Sequence, residues 1–143
     1  MPFDAQRGED AIEYAGETID LDDGSEVPHG KGAVTDHQTG AKYEGDWVYG
    51  NRQGTGKKSF DGKMYVGDWF SDKATGKGKM TYSNGDAYTG DFVNYKKNGH
   101  GTMLFSSGDT YCGQWEDDEL HGHGKHTCVG VGVYEGDYVA GEV

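Results

Sequence analysis

From Tyr43 onward, large apolar and small residues alternate with polar ones along the chain. In Tyr43-Glu44-Gly45-Asp46-Trp47 the tyrosine, glycine and tryptophan fall on every second position, which places all three on one face of a β-strand. A polar stretch with turn formers follows, Tyr49-Gly50-Asn51-Arg52-Gln53, and then a Gly-x-Gly at Gly54 and Gly56 that opens a second strand ending near Phe60. Two later copies alternate without a break through Gly76, Gly78, Met80 and Tyr82, and through Gly99, Gly101, Met103 and Phe105. The leading tyrosines, Tyr43, Tyr65, Tyr88, Tyr111 and Tyr134, recur at 22, 23, 23 and 23 residues, the signature of a repeat architecture. Short turn sequences separate the copies: Asp61-Gly62, Ser83 to Asp86, and Ser106 to Asp109. Asn-Gly and Asp-Gly accept the positive φ that tight hairpin turns demand.

Each copy therefore predicts one β-hairpin with a single aromatic face. The whole predicts an all-β fold, an elongated single-layer antiparallel β-meander of successive hairpins with about five to six repeats. About twelve strands at ~4.8 Å spacing would extend roughly 50 Å. Glycines alternating with rings on that face leave room for a neighbouring ring to lie flat over the backbone, offsetting the entropic cost of glycine in a strand. The opposite face, with Glu44, Asp46, Lys57, Asp68, Lys77, Lys79 and Asp91, is expected to be solvated.

The pattern divides the chain into three parts. Residues 1–13 read as a polar lead-in. Residues 14–42 read as a degenerate first repeat, in which Tyr14 is followed by Gly30-Lys31-Gly32 only after an acidic segment, Asp20 to Pro28, taken as an enlarged turn. Residues 43–143 read as the regular array, with a truncated last repeat. Terminal repeats are often atypical caps.

Composition sharpens this picture. Of 143 residues, 26 are glycine and only 33% are hydrophobic, so a thin sheet fits better than a two-sided core. The formal net charge is −12, and residues 1–42 carry ten acidic and three basic side chains. That balance disfavours nucleic acid as a ligand, since its recognition needs basic surface. Cys112 and Cys128 make no CxxC and no staple framework. With no basic and apolar leader at the N-terminus and no long apolar run, a soluble, reducing, cytoplasmic setting is expected.

Tyr-x-Gly-Asp/Gln-aromatic, a turn, Gly-x-Gly eleven residues after each tyrosine, and a glycine just before the next tyrosine together resemble MORN repeats (membrane occupation and recognition nexus). The resemblance covers Tyr43 to Val143 clearly and Tyr14 to Lys42 loosely. It implies a twisted single-layer meander with a groove. It also implies a role in protein binding, dimerisation or attachment to cytoskeleton and membranes, in settings that include cilia and flagella.

The aromatic stripe is the candidate partner-binding groove: Tyr43, Trp47, Tyr65, Trp69, Tyr82, Tyr88, Phe92, Phe105, Tyr111, Trp115, Tyr134 and Tyr138. In a one-layer sheet part of that face should stay exposed, and a helix or extended segment of a protein partner would lie along it. The terminal strands near Tyr14 and Tyr134 offer edges for a homodimer. No cofactor is implied. The histidines His121, His123 and His126 share a strand, but the repeat register already places them and His29 and His100, so no metal site is assigned. Cys112 and Cys128 occupy repeat-variable positions. Asp46, Asp68, Asp91 and Asp137 recur once per hairpin, which fits solubility and cross-strand pairing rather than catalysis. The chain therefore reads as a non-catalytic scaffold of cytoskeleton or cilium. A peripheral tether for acidic phospholipids, built on Lys57, Lys58, Lys63, Lys77 and Lys79, and a regulatory region of a larger enzyme are the alternatives.

Overall fold

The computed structural model describes residues 11–128 and 132–138. Among the described residues eleven antiparallel strands follow one another in sequence order, and they fall into two compact units divided between Lys73 and Ala74. The first unit holds β1 (Ile12–Asp20), β2 (Glu26–Asp36), β3 (Lys42–Val48), β4 (Asn51–Phe60) and β5 (Lys63–Phe70). The second holds β6 (Lys73–Thr81, all but its first residue), β7 (Ala87–Val93), β8 (Lys96–Leu104), β9 (Thr110–Glu116), β10 (Glu119–Cys128) and β11 (Gly132–Tyr138).

Strand register explains why glycine is so abundant. In the first unit Gly16, Gly32, Gly45, Gly56 and Gly67 pair in one unbroken row across the strands. In the second, Gly78, Gly90, Gly101, Gly113, Gly124 and Gly136 do the same. A Cβ built on Gly56 would sit 2.5 Å from the ring of Tyr43, and one on Gly101 would sit 2.2 Å from the ring of Tyr88. The tyrosines thus lie flat across the row, as the sequence predicted.

The first glycine of each Gly-x-Gly has a different task. Gly30, Gly54, Gly76 and Gly99 all have φ between +98° and +115°, conformations that side chains with a Cβ rarely adopt. Within each hairpin the register jumps at this point, so that one residue faces three. Asp46 stands alone between the pairs Gly45↔Gly56 and Trp47↔Arg52, and Asp91 between Gly90↔Gly101 and Phe92↔Lys97. The backbone N–H of Thr55 donates to the Asp46 carboxylate at 3.0 Å, and that of His100 to Asp91 at 3.0 Å. Glu17 accepts from Lys31 N–H at 2.6 Å in the first hairpin. These carboxylates therefore hold a β-bulge together, a role beyond the solvation first assigned to them.

The hairpin turns are tighter than expected. The stretch Tyr49 to Gln53 is not one polar turn, because Asn51 already belongs to β4 and only Tyr49-Gly50 turns. Ser71-Asp72, Asn94-Tyr95 and Asp117-Asp118 do the same, each with φ between +47° and +72° at both residues. Such paired positive φ values define the two-residue turn whose twist matches the strands it joins. In the first hairpin the turn narrows from the segment 20–28 to residues 21–25, since β1 runs to Asp20 and β2 starts at Glu26, and it is closed by Leu21 N–H donating to Ser25 O at 2.7 Å. The lead-in is shorter than residues 1–13 as well, since β1 begins at Ile12 and Ala11 is buried.

Candidate functional site

The tyrosines and tryptophans of the stripe pack edge-to-face in series. Tyr43 meets Trp47 of its own hairpin at 5.2 Å and Trp69 of the next at 5.0 Å, with interplanar angles of 84° and 83°. Tyr88 meets Phe92 at 5.0 Å and Trp115 at 5.4 Å, and Tyr111 meets Trp115 at 5.1 Å. Each such contact contributes about 0.5–1.5 kcal/mol beyond the area it buries. The polar atoms of the rings are also satisfied. Tyr43 and Tyr88 hydroxyls donate to the carbonyls of Asp46 and Asp91 at 2.7 and 3.0 Å. The indole N–H of Trp47, Trp69 and Trp115 donates to the carbonyls of Gly32, Gly56 and Gly101 at 3.0–3.3 Å.

This self-sufficiency confines the exposure expected of part of the stripe to a few of its rings. Tyr43, Trp47, Tyr65, Trp69, Tyr88, Phe92, Tyr111 and Trp115 are all buried, because the rings of successive hairpins cover one another without a second layer. Tyr82 and Phe105 are half-buried and Tyr134 is 40% exposed. The Tyr138 side chain lies outside the described residues, as does that of Cys128. Burial, reinforced by the adjacent Asp46 and Asp91 carboxylates, pushes the Tyr43 and Tyr88 hydroxyls well above the ordinary tyrosine range.

Two cations complete this interior, and the sequence reading missed both. The Arg52 guanidinium lies 5.7 Å from the Tyr43 ring centre and 5.0 Å from that of Trp69, and pairs with Asp72 at 3.2 Å. Lys97, only 8% exposed, stands 5.8 Å from Tyr88 and 5.2 Å from Trp115, and pairs with Asp118 at 3.3 Å. The corresponding position of β6 is Ala74, fully buried, with Phe92 and Tyr95 where the other sites have tryptophan and aspartate. The covariation of cation, tryptophan and aspartate against alanine, phenylalanine and tyrosine was present in the sequence as a repeat-by-repeat difference.

The opposite face is less polar than predicted. Along β5, Met64, Val66 and Phe70 point outward at alternate positions and are 39%, 48% and 60% exposed. An open hollow lined by Ala33, Glu44, Lys57, Ser59 and Met64 adjoins this line. In the second unit Val93 and Leu104 are similarly exposed. The charged groups around them are largely paired across strands, with Lys31 on Asp46 and Lys77 on Asp91 holding both carboxylates below their ordinary range.

His123 lies 3.5 Å from Glu135 and 3.4 Å from Asp137, and His121 lies 3.5 Å from Glu116. Among the described residues no three His, Cys, Asp or Glu side chains converge as a metal site would require. Cys112 is an exposed free thiol beside the Thr102 hydroxyl at 3.4 Å.

Within each unit a run of similar hairpins, joined by ring contacts and by one row of paired glycines, is the architecture of a repeat-protein scaffold. The profile of the MORN repeat matches residues 43–63, 65–87, 88–110 and 111–130, more than half of the chain. The chain belongs to the MORN repeat family. Comparison with curated proteins finds no match. Repeats of this kind generally mediate protein or membrane interactions.

Proposed function

We propose that this chain is a non-catalytic, protein-binding scaffold of the cytoskeleton or of a cilium or flagellum. It holds an extended segment or helix of a partner against the outward face of the β4–β5 hairpin. The observation that carries the reading is the line Met64, Val66 and Phe70, apolar and exposed on one strand face beside an open hollow. Exposed apolar surface of this kind marks interaction sites, and the described residues contain no helix to cover it. The buried rings occupy the other side of the same strands. Among the described residues no three His, Cys, Asp or Glu side chains converge as a metal site.

The test is affinity purification of partners with the natural chain and with a Val66→Ser, Phe70→Ser double variant, alongside imaging of the tagged chain in ciliated cells. Loss of the same cytoskeletal partners from the variant, with the natural chain on microtubule structures, is expected. Equal recovery of partners, or salt-sensitive recruitment to acidic membrane instead, would refute the proposal.

A further inference from the structure

The outward face of the second unit carries two rows of side chains on one side of its glycine row. In the first, Lys79, Thr89, Thr102, Cys112, Lys125 and Glu135 stand opposite one another from β6 to β11. In the second, Thr81, Ala87, Leu104 and Thr110 do so from β6 to β9. Every residue of the first row is exposed, and Leu104 is 48% exposed. The side chains that β7, β8 and β9 contribute to these rows include no charged group. At the matching positions of β3, β4 and β5 stand Lys42, Glu44, Lys57, Ser59, Met64 and Val66, so this neutrality is not a property of the repeat itself. Protein interfaces are depleted of charge at their centre in the same way.

The ends of the first row decide what can cover it. Lys79 lies on β6 and Glu135 on β11, the first and last strands of the row. A two-fold axis parallel to the strands, midway between β8 and β9, reverses the strand order and keeps each residue at its own level. It therefore sets Lys79 of one copy against Glu135 of the other at both ends of the contact. Between them it sets Thr102 against Cys112 and Leu104 against Thr110. Lys125, opposite Glu135 in its own sheet, faces Thr89 of the copy and meets no like charge. Contacts in which one residue meets another and is met in turn define an isologous dimer. Strand twist does not oppose it, because the same rotation maps a saddle-shaped sheet onto itself.

We infer that this face binds a second copy of the chain, as a face-to-face two-fold dimer centred between Thr102 and Cys112. Charge complementarity selects this occupant. The chain carries a formal charge of −12, so two copies repel each other in general, whereas on this face opposite charges meet at the edges and neutral side chains in the middle. Two rows across six strands cover roughly 24 Å by 14 Å, about 350 Å² per copy. That is less than half of the ~800 Å² that each partner of a standard interface buries, so the dimer is weak and strongly concentration-dependent. The inference stands apart from the proposed partner site, since it uses the second unit and neither Val66 nor Phe70.

In such a dimer the two Cys112 Cα atoms lie about 11 Å apart, one strand spacing of ~4.8 Å sideways and one sheet spacing of ~10 Å in depth. That is too far for a disulfide but within reach of a short bis-maleimide. The experiment treats the full chain carrying Cys128→Ser with such a reagent over a range of protein concentrations, with sedimentation velocity as the label-free measure. A cross-linked dimer whose yield rises with concentration is expected. Lys79→Glu and Glu135→Lys should each weaken association about fivefold or more, and the two together should restore it. That rescue separates a contact between copies from an effect within one chain, where the two residues lie on strands that do not pair. Thr102→Lys, which sets like charges beside the axis, should abolish the dimer, and Phe70→Ser should leave it intact. A monomer at every concentration, cross-linking indifferent to Thr102→Lys, or charge reversals that add instead of cancelling would each overturn the inference.

Discussion

Lys97 and Asp118 allow a sharp test of how a charge survives inside an aromatic ladder. At 3.3 Å, and with an effective dielectric constant of about 20, their attraction is roughly 5 kcal/mol before any desolvation is counted. The Asp118 side chain is 48% exposed, so solvent screening reduces the useful part to about 1 kcal/mol. Asp118 also accepts the Lys97 backbone N–H at 2.8 Å, a charge-assisted bond that contributes about 1.5 kcal/mol. Asp118 adopts φ +72° in its turn, a conformation that asparagine tolerates well.

Asp118→Asn therefore keeps the turn and one acceptor but removes the charge, and should cost about 1 kcal/mol, because it leaves a buried ammonium group less compensated. Lys97→Met removes ion and ion pair together. Its stability should stay within about 0.5 kcal/mol of the natural chain, since the desolvation cost of the buried ammonium is removed and the Asp118 carboxylate left behind is half-exposed and can be solvated. Ala74 and Leu120 show that this register position accepts apolar side chains. Adding Asp118→Asn to Lys97→Met should then cost almost nothing further, a direct coupling measurement. Urea unfolding followed by tryptophan fluorescence reads the global effect. Hydrogen exchange of the Lys97 and Asp118 amides reads the local one, which matters because repeat arrays need not unfold in a single step. If Lys97→Met proves more costly than Asp118→Asn, the cation is a net stabiliser through its ring contacts and the reasoning fails.

Other expectations concern the glycines and the pH response. Gly101→Ala should cost about 1–3 kcal/mol by overpacking, and Tyr88→Leu in the same chain should reduce that cost, because the added Cβ would lie 2.1 Å from the Tyr88 hydroxyl. Gly99→Ala should cost about 2 kcal/mol through backbone strain at φ +112° and through contact with Asp91, and Tyr88→Leu should not rescue it. Urea midpoints report both, and equal rescue of the two would count against separate roles. Asp46 and Asp91 are held below the ordinary carboxylate range chiefly by Lys31 and Lys77, so their stabilisation is present above pH ~4 and disappears as pH falls through their folded values. An acid-unfolding series should show a shallower decline for Asp91→Asn than for the natural chain. The raised hydroxyls of Tyr43 and Tyr88 contribute stability below pH ~10 that is lost in alkali, so ultraviolet titration should show these rings ionising only as the strands open.

The sequence by itself determined the hairpin, its period and its family, because alternation and glycine spacing are local properties that a strand displays residue by residue. Tyr43, Gly45 and Trp47 share a face in any extended chain, and Gly-x-Gly at a fixed offset sets the partner strand. Tertiary structure decided what those local features do. Which glycine receives a ring and which bends the backbone depends on register, since Gly56 lies under Tyr43 while Gly54 turns beside Asp46. Whether the rings are a binding stripe or an interior depends on the next hairpin, whose tryptophan covers the previous tyrosine at about 5 Å. The cations show the same division. Arg52 and Lys97 look like turn residues in the sequence, and only the fold brings each beneath a tryptophan and beside an aspartate some twenty residues further on. The exposed surface that remains, Val66 and Phe70 outward, follows from which side of each strand the ladder of rings has already claimed.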